Sequence, residues 1–359
     1  MKILHMADCH LDSAMETHLP SAVAKARRKE LLLTFSNTVT AASKEGVRLF
    51  LIAGDLFDTP TPSAATVRYV LDACRAHEEM DFILIEGNHD RGALASHSLP
   101  QNLHLVKAKE GASFRYGDVC VFAAGYGAGA SVLSSFLIPK DTKNIMMLHG
   151  LLTAGTADRE EGLPLPLLGG LEIDYLALGH YHRQSAKRIS KRCIASYAGV
   201  PEGRGFDETG SCGVILLETD TMKADFVPVA GRTLHDLVLD VSEMSGTHQV
   251  EEAVRALTAS IPDKDMVHLV LSGAIEEGVY KDSEQIALYL KNKFFFAKVK
   301  DKTRLRIHAE NYMHDLSLKG EFVRRVMAST LSESDKERVL HYGLRALAGE
   351  APEQGQGGR

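Results

Sequence analysis

The sequence has no tryptophan, no Cys-x-x-Cys pair, no bilayer-length apolar run and no excess of positive charge. Each absence narrows the possibilities. No apolar stretch approaches the roughly 18–20 residues that span a bilayer. Met1-Lys2-Ile3-Leu4-His5 runs straight into a strand pattern without a signal-peptide core, so no membrane association and a cytoplasmic location are expected. The five cysteines (Cys9, Cys74, Cys120, Cys193, Cys212) are odd in number and irregularly spaced, which argues for reduced thiols rather than a disulfide framework. The formal net charge of -6 argues against a whole-molecule footprint for nucleic acid and leaves only local basic patches. Nothing repeats along the chain.

What is present is ordinary for a globular protein. With 359 residues, 45% of all residues hydrophobic and 25% charged, the chain has room for about two domains and a substantial core. Residues 2–7 predict a strand, 22–45 a helix with Leu31, Leu32, Phe35, Val39 and Ala42 at helical spacing, 48–53 a strand, 64–77 a helix and 81–85 a strand. That β-α-β-α-β order implies parallel strands with helical crossovers. From about residue 113 shorter strand-like runs follow (119–123, 144–148, 175–178, 194–197, 213–218, 224–229) and predict a second sheet. A new pattern of strands and helices begins near Gly231. The boundaries expected are 1–230, 231–348 and a Gly-rich tail, 349–359, expected to be disordered.

Five apolar runs end in residues that bind metals. Ile3-Leu4 leads to Asp8 and His10. The run 48–53 leads to Gly54-Asp55, 82–85 to Asn88-His89-Asp90, 145–148 to His149, and 175–178 to His180 and His182. One Asp or His at a strand end is ordinary turn chemistry; five such blocks in succession are not. If Asp55 bridges, Asp8, His10 and His182 complete one site and Asn88, His149 and His180 a second. Imidazole, carboxylate and amide donors without thiolate suit Mn²⁺, Fe²⁺ or Zn²⁺. Two divalent cations against two carboxylates leave a positive surplus, which favours an anionic substrate and makes hydroxide available near neutral pH. Phosphoester hydrolysis is the reaction expected. His89, beside a ligand, is expected to stabilise phosphate or protonate the leaving oxygen, with Asp90 orienting it.

These blocks resemble the signature of the calcineurin-like metallophosphoesterases. Residues 4–13, Ala53-Gly54-Asp55-Leu56-Phe57-Asp58 and the stretch 197–208 (Tyr197 to Glu208) look like the DNA-repair exonuclease branch, the SbcD type. The resemblance covers about residues 1–230. It implies an α/β fold, a two-sheet α/β/β/α sandwich with a smaller α+β C-terminal cap. It further implies a dinuclear, usually Mn²⁺-dependent (Mg²⁺ being another option), exonuclease acting on DNA ends in repair with an SbcC-type ABC ATPase; a homodimer is compatible with it. Some relatives carry an active-site His where this chain has Asp58, and many carry Ser at Val200. Arg204 and Asp58 are the substrate-contact candidates. The alternatives are a phosphatase or cyclic-nucleotide phosphodiesterase with a small substrate, and a mainly scaffolding subunit of an ATPase–nuclease complex.

Among basic stretches, residues 298–307 alternate Lys and Arg with apolar or small residues, predicting one strand with a positive face. Lys187-Arg188, Lys191-Arg192 and the cluster 25–29 are further basic sites, each as readily a solvated surface as a phosphate track. The helices expected at 317–328 and 333–347 carry apolar spacing suited to packing within their own domain.

Overall fold

The computed structural model describes residues 1–15, 19–155, 160–276, 283–306 and 308–347; the tail 349–359 lies outside the described residues. The chain forms two compact units, Met1–His235 and Asp236–Arg359. Among the described residues no helix is long and apolar enough to cross a membrane, and all five cysteines are buried and unpaired.

The first unit begins β1 (Lys2–Met6), α1 (Ser21–Lys44), β2 (Val47–Ala53), α2 (Ala64–Arg75), β3 (Asp81–Ile85) and β4 (Leu103–Val106). It continues β5 (Gly111–Tyr116), β6 (Val119–Ala124), α3 (Ala130–Ser135), β7 (Lys143–His149), β8 (Leu151–Thr153), β9 (Gly162–Pro164), α4 (Leu165–Gly169) and β10 (Tyr175–Gly179). It closes with β11 (Ser185–Arg188), β12 (Ile194–Tyr197), β13 (Gly213–Glu218) and β14 (Lys223–Pro228). Two six-stranded sheets result, in the orders β14-β13-β1-β2-β3-β4 and β11-β12-β10-β7-β6-β5. β1 to β4 are parallel, as are β6, β7, β10 and β12; β13, β14, β5 and β11 add antiparallel edges.

The central strands are continuous apolar runs because both of their faces are covered. Leu49, Leu51, Ile83 and Ile85 of the first sheet share a buried core with Val121, Ile145, Met147 and Ala177 of the second. On the outer face of the second sheet, Phe122, Met146 and Leu178 pack with Leu133 of α3 and Leu168 of α4. Helix α1 packs on α2 and β2 and buries Leu31, Phe35, Val39 and Ala42, the apolar stripe its spacing predicts. The unit is therefore the expected two-sheet α/β sandwich with helices outside. Inside the sandwich His5 Nδ1 and Tyr175 Oη are hydrogen-bonded at 2.9 Å, joining β1 of one sheet to β10 of the other.

In the second unit β15 (Leu234–Asp240), which starts just before the division, α5 (Thr247–Leu257), β16 (Met266–Ser272), β17 (Ala274–Glu276), α6 (Ser283–Lys293), β18 (Phe296–Asp301) and β19 (Arg304–Arg306) precede α7 (Leu318–Met327) and α8 (Glu333–Leu347). Val250, Val254, Ile286 and Leu290 of α5 and α6 pack against Val267, Leu269 and Leu271 of β16. The basic stretch expected as one strand over 298–307 is divided at residues 302–303 into β18 and β19, with residue 307 outside the described residues. β18 joins β16 and β19 joins β17, in separate sheets. Between them Asp301 Oδ1 accepts hydrogen bonds from Thr303 N and Oγ1 at 2.9 and 2.8 Å, an Asx turn, while Lys302 N and Arg304 N still donate to Leu271 O and Gly273 O, each at 2.8 Å.

Candidate metal centre

The parallel strands deliver their C-terminal ends to one place. Asp8 and His10 follow β1, Asp55 follows β2, Asn88 follows β3, His149 closes β7, and His180 and His182 follow β10. The chain must turn sharply there. Asp8, His10, Asp55 and His180 all adopt positive φ (52°, 44°, 50° and 91°), a conformation that costs non-glycine residues free energy and clusters at functional sites.

The glycines before the ligands make room. A Cβ on Gly54, itself at φ 89°, would stand 2.2 Å from His149 Nδ1, and one on Gly87 would stand 2.1 Å from Asp55 Oδ1. The Gly-Asp and Gly-Asn-His patterns in the sequence thus reflect backbone approaching a neighbouring ligand more closely than any side chain allows.

All seven predicted ligands come together. Asp55 lies between two groups, its Oδ2 3.7 Å from His10 Nε2 and 3.3 Å from His149 Nε2. On one side His10 Nε2 is 3.2 Å from His182 Nε2, and Asp8 shares that cluster. On the other, Asn88 Oδ1 is 3.0 Å from both His149 Nε2 and His180 Nδ1. Asp8 also groups with Asp55 and His149, and both its oxygens accept from the His180 N–H, at 2.9 and 3.0 Å. Asp8, His10, Asp55 and His149 are buried, each 1 or 2% exposed, so neighbours rather than bulk water set their chemistry.

Acceptors behind the rings aim their Nε2 atoms inward. Ala53 O faces His149 Nδ1 at 2.8 Å, Asp58 Oδ1 faces His10 Nδ1 at 2.9 Å and Glu208 Oε1 faces His182 Nδ1 at 2.8 Å. A proton on the outer nitrogen of each ring would leave its Nε2 lone pair facing the cluster, the usual arrangement behind metal-ligating histidines. Burial holds His10 down at about 4 and also lowers His180, with the neighbouring His149 adding to the effect, so both rings are neutral donors. Burial pushes the Asp8 carboxyl up to about 6. Asp55 is held well below the usual carboxylate range: burial opposes this, but His149 and His10 outweigh it. His149 in turn rises to about 9 against the cost of burial because Asp55 is beside it. A cation between Asp55 and His149 would take the place of that shared proton. On charge, donor type and tautomer the residues fit two divalent cations.

Asp90 does different work from that expected. The His89 side chain is exposed beside the cluster; its ring meets His10 edge to face at 4.9 Å, and Nδ1 lies 3.3 Å from Asp58 O. Asp90 is buried and its carboxylate turns to main chain: Oδ1 accepts from Gly87 N at 2.8 Å and Oδ2 from Leu56 N at 2.8 Å and Phe57 N at 3.4 Å. The expectation that Asp90 orients the His89 ring is therefore corrected. Asp90 ties the Asn88 loop to the Asp55 loop, and the neighbour of the His89 ring nitrogen is the Asp58 carbonyl. The His89 N–H donates to Asp55 Oδ1 at 2.9 Å, a second tie between the same loops.

Asp58 and Arg204, read as substrate contacts, are engaged with protein groups. Arg204 Nη1 meets Asp58 Oδ1 at 3.0 Å and Nη2 meets Glu208 Oε1 at 2.7 Å. Glu208 was missed as a site residue. It stands 26 positions after His182 in a loop without periodicity, and nothing in the sequence pairs the two. Burial would raise the Glu208 carboxyl, but His182 and Arg204 hold it down at about 2, so it stays an acceptor. Arg27 on α1 supports that loop from below, bonding Glu202 Oε1 and Gly203 O, each at 2.6 Å.

The calcineurin-like phosphoesterase family profile matches residues 1–184. Among curated relatives, the uncharacterized metallophosphoesterase YhaO of Bacillus subtilis is 25% identical, the match covering 77% of this chain and 73% of that protein. The DNA double-strand break repair protein Mre11 of Sulfurisphaera tokodaii is 23% identical over 97% of each chain. That of Methanopyrus kandleri is 24% identical over 97% of this chain and 82% of its own. The family match spans just over half of the chain and contains every residue of the seven-ligand cluster, so this chain belongs to the calcineurin-like phosphoesterase family.

Proposed function

We propose that the chain is a nuclease of DNA repair, an exonuclease that hydrolyses phosphodiester bonds at DNA ends with two divalent metal ions, Mn²⁺ by preference. Residues 1–230 are its catalytic domain and 231–348 its cap. The observation that carries the hydrolytic reading is Asp55 Oδ2 lying between His10 and His149, 3.7 and 3.3 Å away, with a group of nitrogen and oxygen donors on each side. The DNA reading draws on relatives named as double-strand break repair proteins whose likeness extends over 97% of the chain, second unit included. By its resemblance to the SbcD type, the protein works with an SbcC-type ABC ATPase.

Asp8, His10, Asp55 and His182 would hold one cation, and Asp55, Asn88, His149 and His180 the other. Such a pair supplies Lewis-acid polarisation of the phosphoryl oxygens and lowers the pKa of water. The protein contributes geometry: left-handed turns at the ligands, fixed imidazole tautomers, and buried carboxylates that neutralise only part of the cationic charge, so that the site attracts a phosphate anion. His89 sits exposed at its edge. With Nδ1–H directed to Asp58 O, a His89 ring protonated on both nitrogens would carry at Nε2 the proton that passes to the departing oxygen, leaving the neutral ring with its remaining proton on Nδ1.

The test is cleavage of end-labelled linear duplex DNA and of a small phosphodiester, with Mn²⁺ present or chelated, by wild type and Asp55→Asn. Mn²⁺-dependent shortening of DNA from its ends, lost in the variant, is expected. Hydrolysis of the small ester alone, even with the ATPase added, would move the function to a small-molecule phosphodiesterase.

A further inference from the structure

The two halves of the cluster are backed by different chemistry. Behind His10 and His182 stand carboxylates, Asp58 Oδ1 at 2.9 Å and Glu208 Oε1 at 2.8 Å. Behind His149 stands a neutral carbonyl, Ala53 O at 2.8 Å. The Nε2 of His180 is 3.7 Å from Glu161 Oε2, outside hydrogen-bond reach. A carboxylate facing the far nitrogen of a ligating imidazole fixes its tautomer and raises its donor strength. A carbonyl fixes the tautomer without bringing a negative charge.

Arg204 joins the two carboxylates into one unit. Its guanidinium spans Asp58 and Glu208, at 3.0 and 2.7 Å, and its own N–H donates to Glu208 Oε2 at 2.7 Å. The loop beneath is pinned in turn. Glu202, 1% exposed, accepts from Arg27 at 2.6 Å, Thr34 Oγ1 at 2.8 Å and Gly231 N at 2.6 Å. Two carboxylates facing two histidines would repel each other without a cation between them, and Arg204 supplies it.

On the two-cation reading above, we infer that Asp58, Glu208 and Arg204 are positioning residues that make the Asp8–His10–His182 position the tighter of the two cation positions. Metal loading is then ordered. The Asp8 side fills first, and the Asn88 side exchanges more readily.

The test uses the metal-stripped full chain titrated with Mn²⁺ by calorimetry and with Co²⁺ by its visible absorption, with melting of each metal-free variant as the check on folding. Wild type is expected to bind two cations in two steps, with His182→Gln removing the tighter and His180→Gln the weaker. Glu208→Gln and Asp58→Asn are each expected to weaken the tighter step about 10–100-fold while moving the other by less than about 3-fold; Arg204→Met acts in the same direction. If Glu208→Gln does not fold, Asp58→Asn, on a partly exposed side chain, decides the matter. An unchanged tighter step, or equal weakening of both steps, overturns the inference and leaves the two-cation reading standing. Fewer than two cations bound by wild type overturns both.

Discussion

Asp55 and His149 face each other across 3.3 Å, Oδ2 to Nε2, at the ends of β2 in one sheet and β7 in the other. The pair joins the sheets at the centre of the site. Asp55→Asn removes the charge that both cations would share. Its phosphodiester hydrolysis is expected to fall by more than the about 10–100-fold typical of losing an outer partner of a ligand. Bound Mn²⁺, measured alongside turnover, should fall with it; full metal content with full turnover would sink the assignment.

His89 and Asp90 are neighbours in sequence with opposite burial, and their variants should separate cleanly. His89→Ala, at an exposed position, should change stability by less than about 0.5 kcal/mol. It should slow an ester with a poor leaving group by about 10²–10⁴ and an activated ester much less. Asp90→Ala leaves the N–H groups of Gly87 and Leu56 without their acceptor and should cost about 2–5 kcal/mol. Urea unfolding of the two variants, beside kinetics on both esters, distinguishes these outcomes.

His5 makes stability depend on pH. Burial lowers it to about 3, while the unfolded chain has the ordinary histidine value of about 6.5. Between those values the unfolded state binds a proton that the folded state refuses. Stability is therefore undiminished by His5 above about pH 6.5 and falls as pH drops, by about 1.4 kcal/mol per pH unit, or about 3 kcal/mol by pH 4. In His5→Gln the slope over that window should be shallower by close to one proton. Identical slopes in denaturant melts from pH 6.5 to 4 would contradict it.

Gly54→Ala should unfasten the centre without replacing a ligand. The new methyl would meet His149 Nδ1 at 2.2 Å, on a backbone at φ 89°. Backbone strain alone should cost about 1–3 kcal/mol, and displacing the ring from Ala53 O should lower Mn²⁺ binding. A variant that melts and binds metal like wild type would show that the ring moves aside freely.

Much of the first unit was legible in the sequence because its signals are local. Strands covered on both faces must be apolar throughout, so β1, β2, β3, β7 and β10 stood out as runs, and α1 and α2 as helical periods. The elements that escaped notice are short or exposed. In β5 exposed and half-buried residues alternate, and β11 is exposed along its whole length, so neither needs an apolar run. The 298–307 stretch reads as one strand because its alternation is real on each side of Asp301, while the Asx turn that divides it depends on one side chain reaching back to main chain.

The ligands were readable for a similar reason. In a parallel sheet every strand ends on the same side, so a metal-binding residue after each of several apolar runs implies convergence whatever the loops do in between. The sequence by itself therefore determined the sandwich, the convergence of the seven candidate ligands and the central place of Asp55 among them. Only the tertiary structure decided what stands behind them: that Asp90 holds main chain rather than the His89 ring, that Asp58 and Arg204 are paired, and that Glu208 backs His182. Those partners come from separate loops whose approach is set by packing of the two sheets and α1. Hydrogen bonds between residues distant along the chain leave no periodicity to read.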